Sequence, residues 1–231
     1  MARALLLYLA FTPTLAGCGT SSEPGVALAV VSAPAALVPG EGLSSVEGQS
    51  LRLSELYWTT AAIELVPCTS LAARVWDVLV PSAYAHGVST PLRLSVPVVE
   101  RATTREEVRL GTLHPTAGHY CSVRYELGVA DSDAVGLEVA PAMQGRSVDA
   151  RGEAATAAET PAPFEISSRS QVEIERPIEL DLSYEGASAT LRIEHEKSAW
   201  FDGIDLALLD VNARERRLLE NLGNSTSIHV E

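Results

Sequence analysis

The amino-acid sequence predicts an all-β protein, an antiparallel β-sandwich with a short C-terminal helix. Three observations lead there. Residues 50–67 alternate around Leu51, Leu53, Leu56, Trp58, Ile63 and Leu65, the period of two that turns one face of a strand toward a core. Residues 110–129 are rich in β-formers, with Tyr120, Val123, Tyr125 and Leu127 behind a turn at residues 115–118. The last third breaks into short apolar runs separated by turn residues such as Glu185-Gly186, the spacing of a sandwich.

The elements follow in order. Residues 26–32 are short and β-prone, and Pro34, Pro39 and Gly40 end them. The 50–67 stretch reads as one bent strand or two strands with a kink near Thr59-Thr60. Residues 71–85 look like a second, embedded signal peptide, but their place in the chain favours a short helix or covering loop. Residues 92–99 form a further strand, 103–107 a polar loop, and 130–140 a loop rich in Asp and Gly. Residues 147–154 make another strand, and the Ala/Thr/Pro tract at 154–163 reads as a loop. Strands are expected at 164–174, 178–184 and 189–196. Trp200-Phe201-Asp202-Gly203 is a turn, either packed into the core or presenting an aromatic edge. Residues 213–222 have helical spacing, with Gly223 as the stop.

The N-terminus carries an export signal. Arg3 precedes a short apolar run that is too brief to span a bilayer. Leu15-Ala16-Gly17-Cys18 then matches a bacterial lipobox in all four positions. The expected organisation is a lipoprotein signal peptide over residues 1–17, a small-residue tether over 18–25 beginning at a lipidated Cys18, and a single β-sandwich domain over 26–231. Several acyl chains on Cys18 would hold the protein at a membrane, each buried methylene contributing ~0.8 kcal/mol. Gly19 is not aspartate, so the expected destination is the outer membrane, with the domain in the periplasm or facing outward.

Composition narrows the partners. A net charge of -13 opposes nucleic-acid binding, which needs a basic face to neutralise phosphates. No protein partner is legible. With Cys18 taken by lipid, Cys68 and Cys121 remain as a pair. In an oxidising compartment such a pair forms a disulfide, and the competing reading is two thiolate ligands of a copper or zinc site.

No nucleophile elbow, phosphate loop, zincin helix or paired CxxC is present, so no enzymatic activity is expected. Histidine is the commonest metal ligand, and a copper or zinc site needs converging imidazoles. Three of the five histidines, His86, His114 and His119, fall between Ala85 and Cys121. His119 and Cys121 lie two residues apart and so share a strand face. These three are the candidate metal ligands, with copper or zinc as the candidate cofactor. Asp131, Asp133 and Glu138 offer oxygen ligands, but the glycine and later ligands of a calcium loop do not follow, and solvated loop charge is the simpler account.

Two segments add a resemblance. Leu53-Ser54-Glu55-Leu56-Tyr57-Trp58 ahead of the apolar stretch 62–66, and Gly118-His119-Tyr120 leading to Leu127-Gly128-Val129, resemble the methanobactin-associated copper-binding (MbnP-like) proteins. The resemblance implies an exported β-sandwich, with copper binding in some members. The chain lacks a multi-cysteine signature, so no ligand position carries over. The functional expectation is a lipid-anchored envelope binding protein for a transition metal such as copper. The alternative is a structural or adhesive surface lipoprotein without a cofactor.

Overall fold

The computed structural model describes residues 26–38, 40–44, 48–68, 89–155, 160–183, 189–206 and 210–231. Cys18, His86 and the 71–85 run lie outside the described residues. The chain forms an all-β sandwich, mostly antiparallel, with one α-helix near the C-terminus among the described residues. Its centre is β3 (Ser50–Pro67), a strand of 18 residues.

Strand β3 stays in register with one core only by slipping phase twice. Leu51 and Leu53 point inward, then Leu56, Trp58 and Thr60, then Ile63 and Leu65. The phase changes at bulges, between Leu53 and Glu55 and between Thr60 and Ala62. Each adds one unpaired residue and bends the strand, and the second lies at the kink expected near Thr60. Where the first bulge presses on β8 (Val148–Ala155), Gly152 is obligatory, because a Cβ there would lie 2.2 Å from the Arg52 carbonyl oxygen.

On one edge β3 pairs with β2 (Gly42–Ser44), β5 (Val98–Arg101) and β4 (Arg93–Leu94). On the other edge β7 (Gly118–Leu127) and β8 follow one another end to end. The Thr59 N–H donates to the Ser147 carbonyl at 2.9 Å, and the Thr59 carbonyl accepts from the Gly128 N–H at 3.1 Å. Since both Thr59 groups point to the same side of an extended strand, β7 and β8 are one rail with residues 128–147 looped out of it. Beyond them lie β9 (Ala162–Ser168), on β8, and β10 (Val172–Leu182), on β7.

The looped-out residues form a strap over the outer face of the sheet. It reaches β5 on the far edge, where the Val99 N–H donates to the Val135 carbonyl and the Val135 N–H to the Pro97 carbonyl. Ala130, Ala134, Ala140 and Met143 bury themselves there with Tyr57, Val99 and Leu137 as a second small core. Asp131 belongs to a self-satisfied turn, accepting the Asp133 N–H at 3.0 Å.

The facing sheet has the order β12 (Thr226–Val230), β11 (Ala189–His195), β1 (Leu28–Ser32), β6 (Val108–Leu113). Its β1–β11 pair is parallel, an exception to the expected antiparallel arrangement. One apolar core runs through both sheets and helix α1 (Val211–Asn224). Asp210 caps that helix by accepting the Ala213 N–H at 3.0 Å.

The structure departs from the sequence reading in three places and decides a fourth in favour of the core. Residues 164–174 are not one strand: the chain breaks at 169–171, and β10 continues through Pro177, which a register shift before Leu180 accommodates. Gly223 does not stop the helix. It is buried inside it because a Cβ would press on Ile174 and Val172, each at 3.3 Å, and the chain turns at Ser225 instead. After the helix comes β12, whose five residues alternate inward at Thr226 and Ile228. The Trp200-Phe201 turn is core, both rings being buried, with Asn221 Nδ2 donating to the Trp200 and Asp202 carbonyls at 3.0 and 2.7 Å.

Cys68 and Cys121 form a disulfide across a sequence separation of 53 residues. On the chain-entropy account this closure stabilises the fold by about 4 kcal/mol. A Cys68→Ser, Cys121→Ser chain is expected to fold and to lose about that much stability in urea denaturation. An unchanged unfolding midpoint would contradict the assignment of that stabilisation to the bridge.

Candidate metal centre at the disulfide end

The end of the sandwich where β3 stops and β7 starts collects two of the candidate ligands. β6 ends at Leu113, which is fully buried, so His114 emerges at the rim. Its N–H donates to the Pro91 carbonyl at 2.9 Å. The turn at 114–117 is held from below by Tyr120, whose ring is buried and whose hydroxyl donates to the Thr116 carbonyl at 2.8 Å. His119 follows on the outward face of β7, 74% exposed, with Nδ1 3.6 Å from Asp181 Oδ1 of β10. Its carbonyl accepts the Cys68 N–H at 2.9 Å. His114 therefore sits beside Pro91 and His119 beside Cys68.

The cysteines pair with each other, their Cα atoms 4.9 Å apart. Among the described residues no three His, Cys, Asp or Glu side chains gather into a metal-holding group. His229 is on the far strand β12, 3.9 Å from Glu194.

The fifth histidine is deep in the core, in a polar cluster that sequence reasoning missed. Trp58 Nε1 donates to Glu100 Oε1 at 3.1 Å, Thr60 Oγ1 bonds the same carboxylate oxygen, and the Tyr125 hydroxyl meets Thr60 Oγ1 at 2.7 Å. Burial raises the Glu100 pKa, against hydrogen bonds that favour the charged form. Ser32 Oγ faces this carboxyl without ordinary hydrogen-bond geometry. Burial, and then the Glu100 charge, push the Tyr125 phenol well above its usual range. The His195 ring lies 4.9 Å from Trp58 and 6.0 Å from Tyr125, centre to centre.

The tautomer of His195 follows from its neighbour. Thr226 Oγ1 gives its one hydrogen to the Leu222 carbonyl at 2.8 Å, so at 3.1 Å from His195 Nδ1 it accepts. Nδ1 carries the proton, and Nε2 is a buried lone pair with no hydrogen-bond partner among the described residues. Burial alone lowers this imidazole to about 4. The sequence signal for Glu100 was weak: only its parity with the buried Val98 places its carboxyl on the core face.

A groove of about 600 Å³ opens on the outer face of the large sheet, floored by Ala61 and Ala62. Its charges are largely matched internally. Arg93 bridges Glu64 at 3.0 Å and Glu126 at 2.9 Å, and Arg124 lies 3.8 Å from both Glu64 and Glu175. That row of paired charges ties four strands together across the sheet.

No family model, curated protein or solved structure matches the chain.

The buried imidazole makes stability depend on pH with a definite sign. In the unfolded chain histidine takes up a proton below about pH 6.5, whereas folded His195 stays neutral down to about 4. Stability from this group is therefore present above pH 6.5 and lost as pH falls toward 4, by roughly 3 kcal/mol in all. Urea unfolding at a series of pH values should show this loss in the wild type, and the His195→Gln chain should show correspondingly less. Identical pH slopes would contradict the neutral, buried assignment.

Proposed function

We propose that the protein is a lipid-anchored bacterial envelope protein, at the outer membrane, whose β-sandwich binds a transition-metal ion, copper or zinc, at its disulfide end. One observation carries this reading. The backbone of His114 is tied to Pro91 and that of His119 to Cys68, so both imidazoles flank the ends of the segment in which His86 lies. The ligand set is drawn from His86, His114 and His119. Cys121 is engaged in the disulfide, which leaves imidazole and water as the donors.

The anchor reading rests on Leu15-Ala16-Gly17-Cys18 and is supported by the disulfide, which suits an oxidising compartment. β1 begins at Leu28, opposite Leu113, so the tether joins the domain near His114. The resemblance to the MbnP-like copper-binding proteins agrees with the same reading. A second one, a structural or adhesive lipoprotein without cofactor, is favoured by the exposed Val96, Val135 and Val139 on and beside the strap.

Replacing Cys18 by Ser is expected to move the protein from the membrane to the soluble fraction and to abolish labelling by radioactive palmitate. Label retained on the Cys18→Ser chain would overturn the anchor. Calorimetric titration of the metal-free chain with Cu(II) and Zn(II) should show uptake of one ion, with binding weakening on acidification because a protonated imidazole cannot ligate. The His114→Ala, His119→Ala chain should lose most of the heat. Equal heats from both chains would favour the structural or adhesive reading.

A further inference from the structure

Cys121 occupies an irregular position. Along β3 the pairing steps from Val66–Ser122 directly to Pro67–Tyr120, so Cys121 is the unpaired residue of a bulge on β7. On its other side β10 steps from Pro177–Ser122 to Leu180–Tyr120, a second irregularity at the same place. Bulges re-aim a side chain and often stand beside functional sites. Here the result is an exposed cystine, both Cys68 and Cys121 lying at the surface. Exposed disulfides are the ones open to thiol exchange.

The sulfur–sulfur bond is not what holds the two cysteines together. The β3–β7 ladder runs on to Pro67–Tyr120, and the Cys68 N–H still meets the His119 carbonyl at 2.9 Å. After reduction both thiols would remain at the same rim. His119 lies two residues from Cys121, and both are exposed at this rim. Asp181 stands 3.6 Å from His119 Nδ1, an ion-pair distance and not a hydrogen bond.

We infer that the disulfide end is a redox-gated soft-metal site: reduction of Cys68–Cys121 by a dithiol creates a two-thiolate, one-imidazole ligand set of Cys68, Cys121 and His119 for Cu(I) or Zn(II). This deepens the metal-binding reading and rests on it for the identity of the ligand class. A dithiol thiolate attacks one cystine sulfur and the other cysteine leaves as a thiolate. The second thiol of the reagent then closes on the mixed disulfide. Two electrons and two protons pass from the dithiol to the cystine, and the reagent departs as a cyclic disulfide. Metal uptake releases the two cysteine protons. Thiolate and imidazole donors at ~2.3 and ~2.0–2.1 Å suit a closed-shell d10 ion, and sulfur favours Cu(I) over harder ions. Exchange in the reverse direction with a disulfide oxidant, which takes up the two electrons and two protons and leaves as the dithiol, re-forms the Cys68–Cys121 bond and discharges the metal.

The test uses the full chain with Cys18→Ser, which removes the third thiol. One portion is kept oxidised. The other is reduced with dithiothreitol and desalted without oxygen. Each competes with bicinchoninate for Cu(I), and each is titrated with Co(II). The reduced chain is expected to withdraw one Cu(I) ion and to show a thiolate-to-cobalt band in the near ultraviolet, and the oxidised chain to do neither. Cys121→Ser should abolish the band, and His119→Gln should weaken Cu(I) retention. Equal competition by the two redox states, or no cobalt–thiolate band after reduction, overturns the gate. Wild-type retention of Cu(I) by His119→Gln overturns the assigned ligand set. Uptake of Cu(II) by the oxidised chain tests the imidazole reading separately, since that reading needs no free thiol.

Discussion

The pairing of β3 along both of its edges is the constraint on which the rest of the molecule depends. Eighteen residues of extended chain are long for a strand, and uninterrupted alternation would put Leu56, Trp58 and Thr60 on the face opposite Leu51, Leu53, Ile63 and Leu65. The extra residues Ser54 and Ala61 reset the phase, so that Leu51, Leu56, Trp58, Ile63 and Leu65 all face the same interior. Every strand of the large sheet except β9 and β10 hydrogen-bonds to β3 directly. The disulfide closes the far end of this strand, and the polar cluster at Thr60 sits at its middle.

That cluster puts a carboxyl, a phenol and an imidazole into an otherwise apolar interior. Removing charged groups from water is costly unless they are hydrogen-bonded or neutral. The solution differs for each. Glu100 gathers donors from Trp58 and Thr60, and His195 stays neutral with Nδ1–H turned to Thr226. These bonds are directional: one set joins β3, β5 and β7, the other joins β11, β12 and the end of the helix. Within each sheet they fix how the strands meet in a way that interchangeable apolar contacts do not, and the His195 ring, packed on Trp58 and Tyr125, bridges the two sets.

Much of the fold was legible because the two faces of each strand differ. The alternation in residues 50–67 located β3, and the strand parity of His119 and Cys121 put both on one outward face. Cysteine arithmetic found the disulfide. What escaped was non-local or locally misleading. The parallel β1–β11 pairing joins residues more than 150 positions apart, and no local pattern records it. Residues 175–177 fall between two expected strands, yet an irregular register carries β10 through Pro177. Gly223 looked like a helix stop, but close packing on Ile174 and Val172 explains it. Glu100 and His195 were invisible as a pair, since only the folded core brings a β5 residue and a β11 residue around Trp58.

The clasp at Thr59 has an architectural consequence. Its N–H and carbonyl grip Ser147 and Gly128, so the two lips of the strap are fixed beside each other by a residue outside the strap. The rail that resumes at β8 does not need to know how many residues were spent in between. The strap behaves as a socket in the middle of a sheet: segments of different length and chemistry can be plugged in there while strand register, core and disulfide remain as they were. A lineage carrying this framework has at that point a place to diversify its outer face without rebuilding its interior.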